Sequence, residues 1–266
     1  MEKELIAGKD IIGKSKMLAR LASVGRIYEQ RAVLYILSKL TEEDEKKYRA
    51  DPSSRIEVLV SLNELCKECG LEKAGSKYDL LRSALKRLTR QEWQDYQKED
   101  GSWGTHTVSY LSYADVNYKQ GLVLVELHRV VMPHLLAMTG NYSLYEYRQL
   151  MSMTSLFSSQ FYELLTTYRH NAGTARTPSY YWVIPKFTLA KIKEFFGVSD
   201  KYKNKAGEEM PAQFYRKVLG VAVDEINELT DISVTVKKTG TKAKTVYKFE
   251  VKAKVSSNEN NQANSG

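Results

Sequence analysis

Two hydrophobic periods alternate along the chain. Apolar residues spaced by three and four positions predict amphipathic helices at 27–40 (IYEQRAVLYILSKL) and 158–169 (SSQFYELLTTYR). Alternation with period two predicts short strands at 56–60 and 181–184. It also predicts two strand pairs, 105–116 with 121–128 and 231–238 with 244–251. Longer amphipathic helices are predicted at 76–88 (SKYDLLRSALKRL) and 212–229 (AQFYRKVLGVAVDEINEL).

The pattern nearly repeats. SLNELCKECGL (61–71) and TLAKIKEFFGV (188–198) align without a gap, 127 residues apart. Each opens on a hydroxyl residue suited to an N-cap, Ser61 or Thr188. Each ends on Gly70 or Gly197, where a helix can stop in a left-handed C-cap, with Leu71 or Val198 beyond. The order helix, strand, helix, helix, hairpin therefore occurs twice, and that order is a winged helix, a variant of the helix-turn-helix. The expected fold is α+β, two tandem winged-helix domains related by an internal pseudo-repeat. The expected boundaries are an N-terminal arm at 1–25, a first domain at 26–140, a second, DNA-binding domain at 141–253 and a disordered polar tail at 254–266.

Charge separates the two copies. Residues 168–254 hold 17 Lys and Arg against nine Asp and Glu, whereas the rest of the chain holds 23 against 23. The whole net charge of +8 thus lies in the C-terminal third, as expected for an anionic partner. The most apolar run, 122–138, is interrupted by Glu126, His128 and Arg129 and is too short to span a bilayer. The N-terminus lacks a signal-peptide core, and two cysteines without a secretory signal indicate a reducing cytoplasm.

Helix 212–229 begins cationic and ends anionic. Phe214, Val218, Val221, Ala222, Ile226 and Leu229 are expected to form its buried face. Gln213, Arg216, Lys217 and Gly220 lie opposite, in the half that a winged helix directs into the major groove. Arg can bond guanine bidentately and Gln adenine, while Gly220 would let the backbone approach closely. Asp224, Glu225 and Glu228 would lie outside the groove. Lys201, Lys203 and Lys205 precede the helix, and Lys237, Lys238, Lys242 and Lys244 surround Gly240 at the expected wing tip, all placed for phosphates. In the first copy Ser76 and Asp79 have capping-box spacing, Tyr78, Leu81, Leu85 and Leu88 are expected to pack inward, and Lys77, Arg82, Lys86 and Arg87 to project outward. The segment 41–51 reads as an acidic loop.

Lys201–Tyr202 and the run from Phe214 to Val234, with RKVL, DEIN and TDI in order, resemble the C-terminal winged helix of plasmid replication initiators, the Rep proteins of iteron-bearing theta-replicating plasmids. The segment 155–169 and the Trp182 strand are similar to that family's entry into its second domain. The loop 92–104 has no counterpart in it. The resemblance implies double-stranded origin repeats (iterons) as the partner, with bases read by Gln213, Arg216 and Lys217. It further implies origin opening, recruitment of host initiator and replicative helicase, and dimers paired through the first domain that repress the protein's own promoter. Neither a membrane partner nor a cofactor is expected.

Enzyme chemistry finds little support. CKEC (66–69) supplies two of the roughly four ligands a zinc site needs. The internal alignment sets Cys69 against Phe196, a core position, and Cys66 against Lys193, an outward one. His106, His128, His134 and His170 do not form the closely spaced pair of a rolling-circle nuclease, and no Walker-type phosphate loop occurs. Trp182 is expected in the core. The remaining rival is a winged-helix transcriptional regulator.

Overall fold

The computed structural model describes residues 11–15, 26–72, 75–90, 92–97, 103–135, 142–169 and 181–254. The expectations for the tail and for most of 1–25 fall outside what is described. Two compact units divide between Met151 and Ser152.

In the first unit β1 (Ile11–Ser15) pairs antiparallel with β7 (Tyr142–Glu146). Residues 11–15 are therefore tied into this unit, and the division falls later than the 140/141 boundary read from the sequence. Between these strands lie α1 (Ile27–Ser38), α2 (Glu42–Ala50), β2 (Glu57–Ser61), α3 (Leu62–Glu68) and α4 (Lys77–Leu88). They are followed by β3 (Glu92–Gln97), β4 (Trp103–Val108), β5 (Leu111–Asn117), β6 (Leu122–Leu127) and α5 (Met132–Leu135), and α6 (Tyr147–Ser152) runs to the division. The winged-helix sheet has the order β2-β6-β5.

Three expectations fail here. The acidic segment 41–51 is helix α2, held by a Thr41–Asp44 capping box in which Thr41 Oγ1 accepts from Asp44 N at 3.1 Å. The strand expected at 105–116 is two: residues to Val108 pair with β3 in a separate hairpin, and β5 begins at Leu111. Tyr110 donates its N–H to Leu88 O and its carbonyl accepts from His128 N, so the chain changes partners there. Helix α1, expected to have one apolar face, is buried almost all round because it is the hub of its unit.

The second unit contains α7 (Leu156–Thr166), β8 (Tyr181–Val183), β9 (Phe187–Thr188) and α8 (Leu189–Phe195). A long helix then runs through α9 (Pro211–Phe214), a π turn (Tyr215–Leu219) and α10 (Gly220–Leu229). The wing is β10 (Ile232–Thr239), a 3₁₀ turn (Lys242–Lys244) and β11 (Val246–Ala253). Its sheet runs β10-β11-β8, so in both units the first strand pairs with the last. The start of the short helix is pinned to the wing alike, by Leu62 N to Gly121 O and by Leu189 N to Thr245 O, each at 2.8 Å. Both short helices carry the predicted caps: Ser61 Oγ accepts from Glu64 N, Thr188 Oγ1 from Lys191 N, and Gly70 and Gly197 sit at φ +74° and +64°.

Aromatic rings fill the second core. Phe161, Phe196, Phe214, Tyr247 and Phe249 are buried, with neighbouring ring centroids 5.0–6.5 Å apart. Such pairs add about 0.5–1.5 kcal/mol each beyond burial. Trp182 is buried as expected and donates Nε1–H to Leu165 O at 3.1 Å.

Candidate nucleic-acid interface

The motif DEIN…TDI turns out to be scaffold. Glu225 reaches back to the head of α7, where its carboxylate accepts from Thr154 N at 2.6 Å, Thr154 Oγ1 at 2.7 Å and Ser155 N at 3.1 Å. Burial alone would raise this carboxyl, but the hydrogen bonds it accepts outweigh burial and hold it below the ordinary glutamate range. Its charge also sits at the positive end of the α7 dipole. Glu225, expected to lie outside the groove, is thus occupied in fastening the long helix to α7. Asn227 bonds both backbone groups of Val234, as another strand would. Thr230 Oγ1 donates to Ile226 O, and Asp231 accepts from Tyr162 and Arg169. These side chains fasten the long helix to α7 and to the wing, and so set where its opposite face points.

That face begins with Gln213, half-buried, and with Arg216 and Lys217, both exposed. The π turn inserts an extra residue per turn, so the buried positions from its last residue onward are Leu219, Ala222, Val223 and Ile226. Val221, expected in the core, is 42% exposed. Gly220, expected on the groove side, is buried with an ordinary helical φ of −63°. Its N–H closes the π turn onto Tyr215 O, and a Cβ there would lie 3.0 Å from that oxygen. Gly220 thus serves the turn and not the approach of a backbone to DNA.

Lys201, Lys203 and Lys205 are exposed on a tight turn before the helix. The turn is built by a Lys203–Glu209 bridge, by Asn204 Oδ1 accepting from Ala206 N and Glu208 N, and by Gly207 at φ +78°. It is anchored below by Lys193, whose Nζ lies 2.6 Å from Glu209 Oε2. Lys193 was expected to face outward, as was its counterpart Cys66; both are buried. Burial raises the Cys66 and Cys69 thiols, Cys69 to about 12, which leaves both protonated and unreactive.

At the wing, Gly240 has φ +74°, and a Cβ there would meet Lys244 O at 2.4 Å. Lys242 pairs with Glu208 of the turn at 3.0 Å, and Lys237 with Glu250 at 2.7 Å. Among the described residues Lys238 and Lys244 make no ion pair. Tyr215 lies parallel to Tyr247, whose hydroxyl bonds Pro211 O. Turn, helix head and wing are thus joined into one cationic surface.

In the first unit α4 presents less charge than expected. Arg87 turns back to the buried Glu29 and to Tyr28 Oη, and Arg82 pairs with Asp79 at 2.9 Å. That pair replaces the capping box, because Ser76 makes no cap hydrogen bond. Lys86 is exposed, while Lys77 lies over the ring of Tyr78 at 4.9 Å. Tyr78, expected inward, is exposed and meets Tyr118 edge-on at 5.8 Å.

Sequence profiles decide the family. Residues 12–166 match "Initiator Replication protein, WH1" and residues 188–251 match "Initiator Rep protein, WH2". The chain belongs to the initiator replication protein family. It is thus a Rep-type plasmid replication initiator, which bears out the resemblance read from 201–234 and the tandem winged-helix fold. The crystal structure of the Pi initiator protein in complex with iteron DNA is similar to this initiator, with a TM-score of 0.62 at 16% identity. The match covers 94% of this chain and 100% of that one. Domains 2 and 3 of RctB are also similar, with a TM-score of 0.48 at 12% identity over 94% and 93% of the chains. Comparison with curated proteins finds no match. Among the initiator's described residues no helix is long and apolar enough to cross a membrane.

Proposed function

We propose that this initiator binds repeated duplex sites, iterons, through the second winged helix. The head of its long helix enters the major groove, where Gln213, Arg216 and Lys217 read bases. Lys201, Lys203 and Lys205 on the turn, with Lys238, Lys242 and Lys244 on the wing, hold the flanking phosphates. The observation that carries this reading is the cationic helix head flanked by two lysine-bearing turns, all secured to one aromatic core. The complex of the similar Pi initiator protein with iteron DNA supports it. The first winged helix adds backbone contacts from Lys77, Arg82 and Lys86 rather than base reading, since Arg87 is held internally. The protein acts as a binding protein in the bacterial cytoplasm and not as an enzyme. Its further partners are a host initiator, a replicative helicase and a second copy of itself.

Selection from random duplexes at near-physiological salt tests the reading. The expected outcome is one asymmetric motif spanning about two helical turns. A palindrome would indicate a symmetric repressor, and absence of any motif would overturn base reading. On the selected site Arg216→Ala should cost about 1–3 kcal/mol, the worth of one bidentate contact, and much less on unrelated duplex. Equal losses on both would remove Arg216 from the readers.

A further inference from the structure

We infer that Val221 reads the 5-methyl group of a thymine in the bound site. The inference rests on the proposed entry of this helix into the major groove. Regular helical spacing from Phe214 and Val218 would bury Val221, and the π turn at Tyr215–Leu219 prevents it. Leu219 and Val223 take inward places, and Val221 emerges 42% exposed, while Val218, Leu219, Ala222, Val223 and Ile226 are all buried. It stands one turn beyond Lys217 and one turn before Asp224, on the same exposed stripe.

A valine offers no donor or acceptor, so in a groove it can recognise only an apolar group. The thymine methyl is the one such group that the four base pairs present on the major-groove edge. A β-branched side chain on a helix is also nearly fixed in one rotamer, so little side-chain freedom is lost on contact. Lys217 and Val221 together would read a polar edge followed by a methyl along the groove.

The test uses the full chain and the duplex site it selects. Each thymine in turn is replaced by deoxyuridine, which lacks only the 5-methyl group. At one position the replacement should weaken wild-type binding about fourfold, the worth of burying one carbon. Val221→Ala should bind the unmodified site about fourfold more weakly and lose its sensitivity to deoxyuridine at that position alone. A wild type indifferent to deoxyuridine everywhere would overturn the inference, as would a sensitivity that persists unchanged in Val221→Ala. In either case specificity that still depends on Arg216 would show the helix to be the reader nonetheless. Specificity untouched by Arg216→Ala, with no thymine sensitivity, would remove both.

Discussion

Glu225 shows how far a single residue's job can lie from its sequence neighbourhood. Its carboxylate serves two backbone N–H groups at the head of a helix some seventy residues earlier. Because that carboxyl is held below its usual value, its contribution to stability is complete above the ordinary glutamate range and is lost as pH falls through the folded value. Glu225→Gln should therefore unfold more easily by about 1 kcal/mol at neutral pH, typical of a lost helix cap. The difference should shrink as pH falls below the ordinary glutamate range and through the lowered folded value, where the wild-type carboxyl also becomes neutral. Urea titrations at several pH values measure this, and a gap that stays constant into acid would mean that the charge is irrelevant. Position 193 and its counterpart 66 carry a similar lesson. Helical spacing puts both outward, yet Lys193 is buried because Glu209 neutralises it from the following turn. Its partner lies 16 residues on, too far for any local pattern to reveal.

At the scale of the element, the π turn decides what the recognition helix displays. Periodicity of 3.6 correctly buries Phe214, Val218, Ala222 and Ile226 but misplaces Val221 and Gly220, the residues beside the extra residue. Gly220→Ala tests the turn's role. Alanine normally favours a helix interior by about 1 kcal/mol, but here its Cβ would crowd Tyr215 O at 3.0 Å. The two effects should roughly cancel in thermal stability, while the π turn relaxes and rotates the cationic head against its anchored end. Specific DNA affinity is expected to fall without a matching drop in Tm. Full affinity in Gly220→Ala would show that the turn does not set the helix phase. Other elements depended on signals that were present but read too coarsely. Thr41 and Asp44 have capping-box spacing, and α2 follows from it. The break at Ser109–Tyr110 gives no such local sign, since it arises from bonds to Leu88 and His128.

On the scale of the whole molecule, the positive charge is concentrated in one winged helix, and the ion pairs determine how much of it is available to a phosphate. Lys242 already has Glu208, and Lys237 has Glu250, whereas Lys244 and Lys238 make no ion pair among the described residues. Each phosphate contact formed by an uncommitted cation should contribute about 0.9 to the slope of log affinity against log salt. Lys244→Ala should therefore flatten that slope by about one on every duplex, specific or not. Lys242→Ala should flatten it less, because Glu208 already offsets its charge in the free protein. Titrations at a series of salt concentrations compare the two, and equal slopes for Lys244→Ala and wild type would place the wing tip away from the DNA.

The sequence by itself determined the double winged helix, the capped short helices with their left-handed glycines, the burial of Trp182 and the concentration of charge in the second domain. These depend on local periodicity, on caps whose partners lie three residues away, and on simple counting. It also carried the motif that marks the family, but not what that motif does. Only the tertiary structure revealed that DEIN…TDI is a set of fastenings, that Arg87 is committed to the buried Glu29 and the buried Lys193 to Glu209, and that Val221 rather than Gly220 stands on the exposed face. The physical reason is the same in each case. A hydrogen bond or ion pair between distant segments, or one residue inserted in a helical turn, changes which way a side chain faces without changing the pattern of apolar and polar residues along the chain.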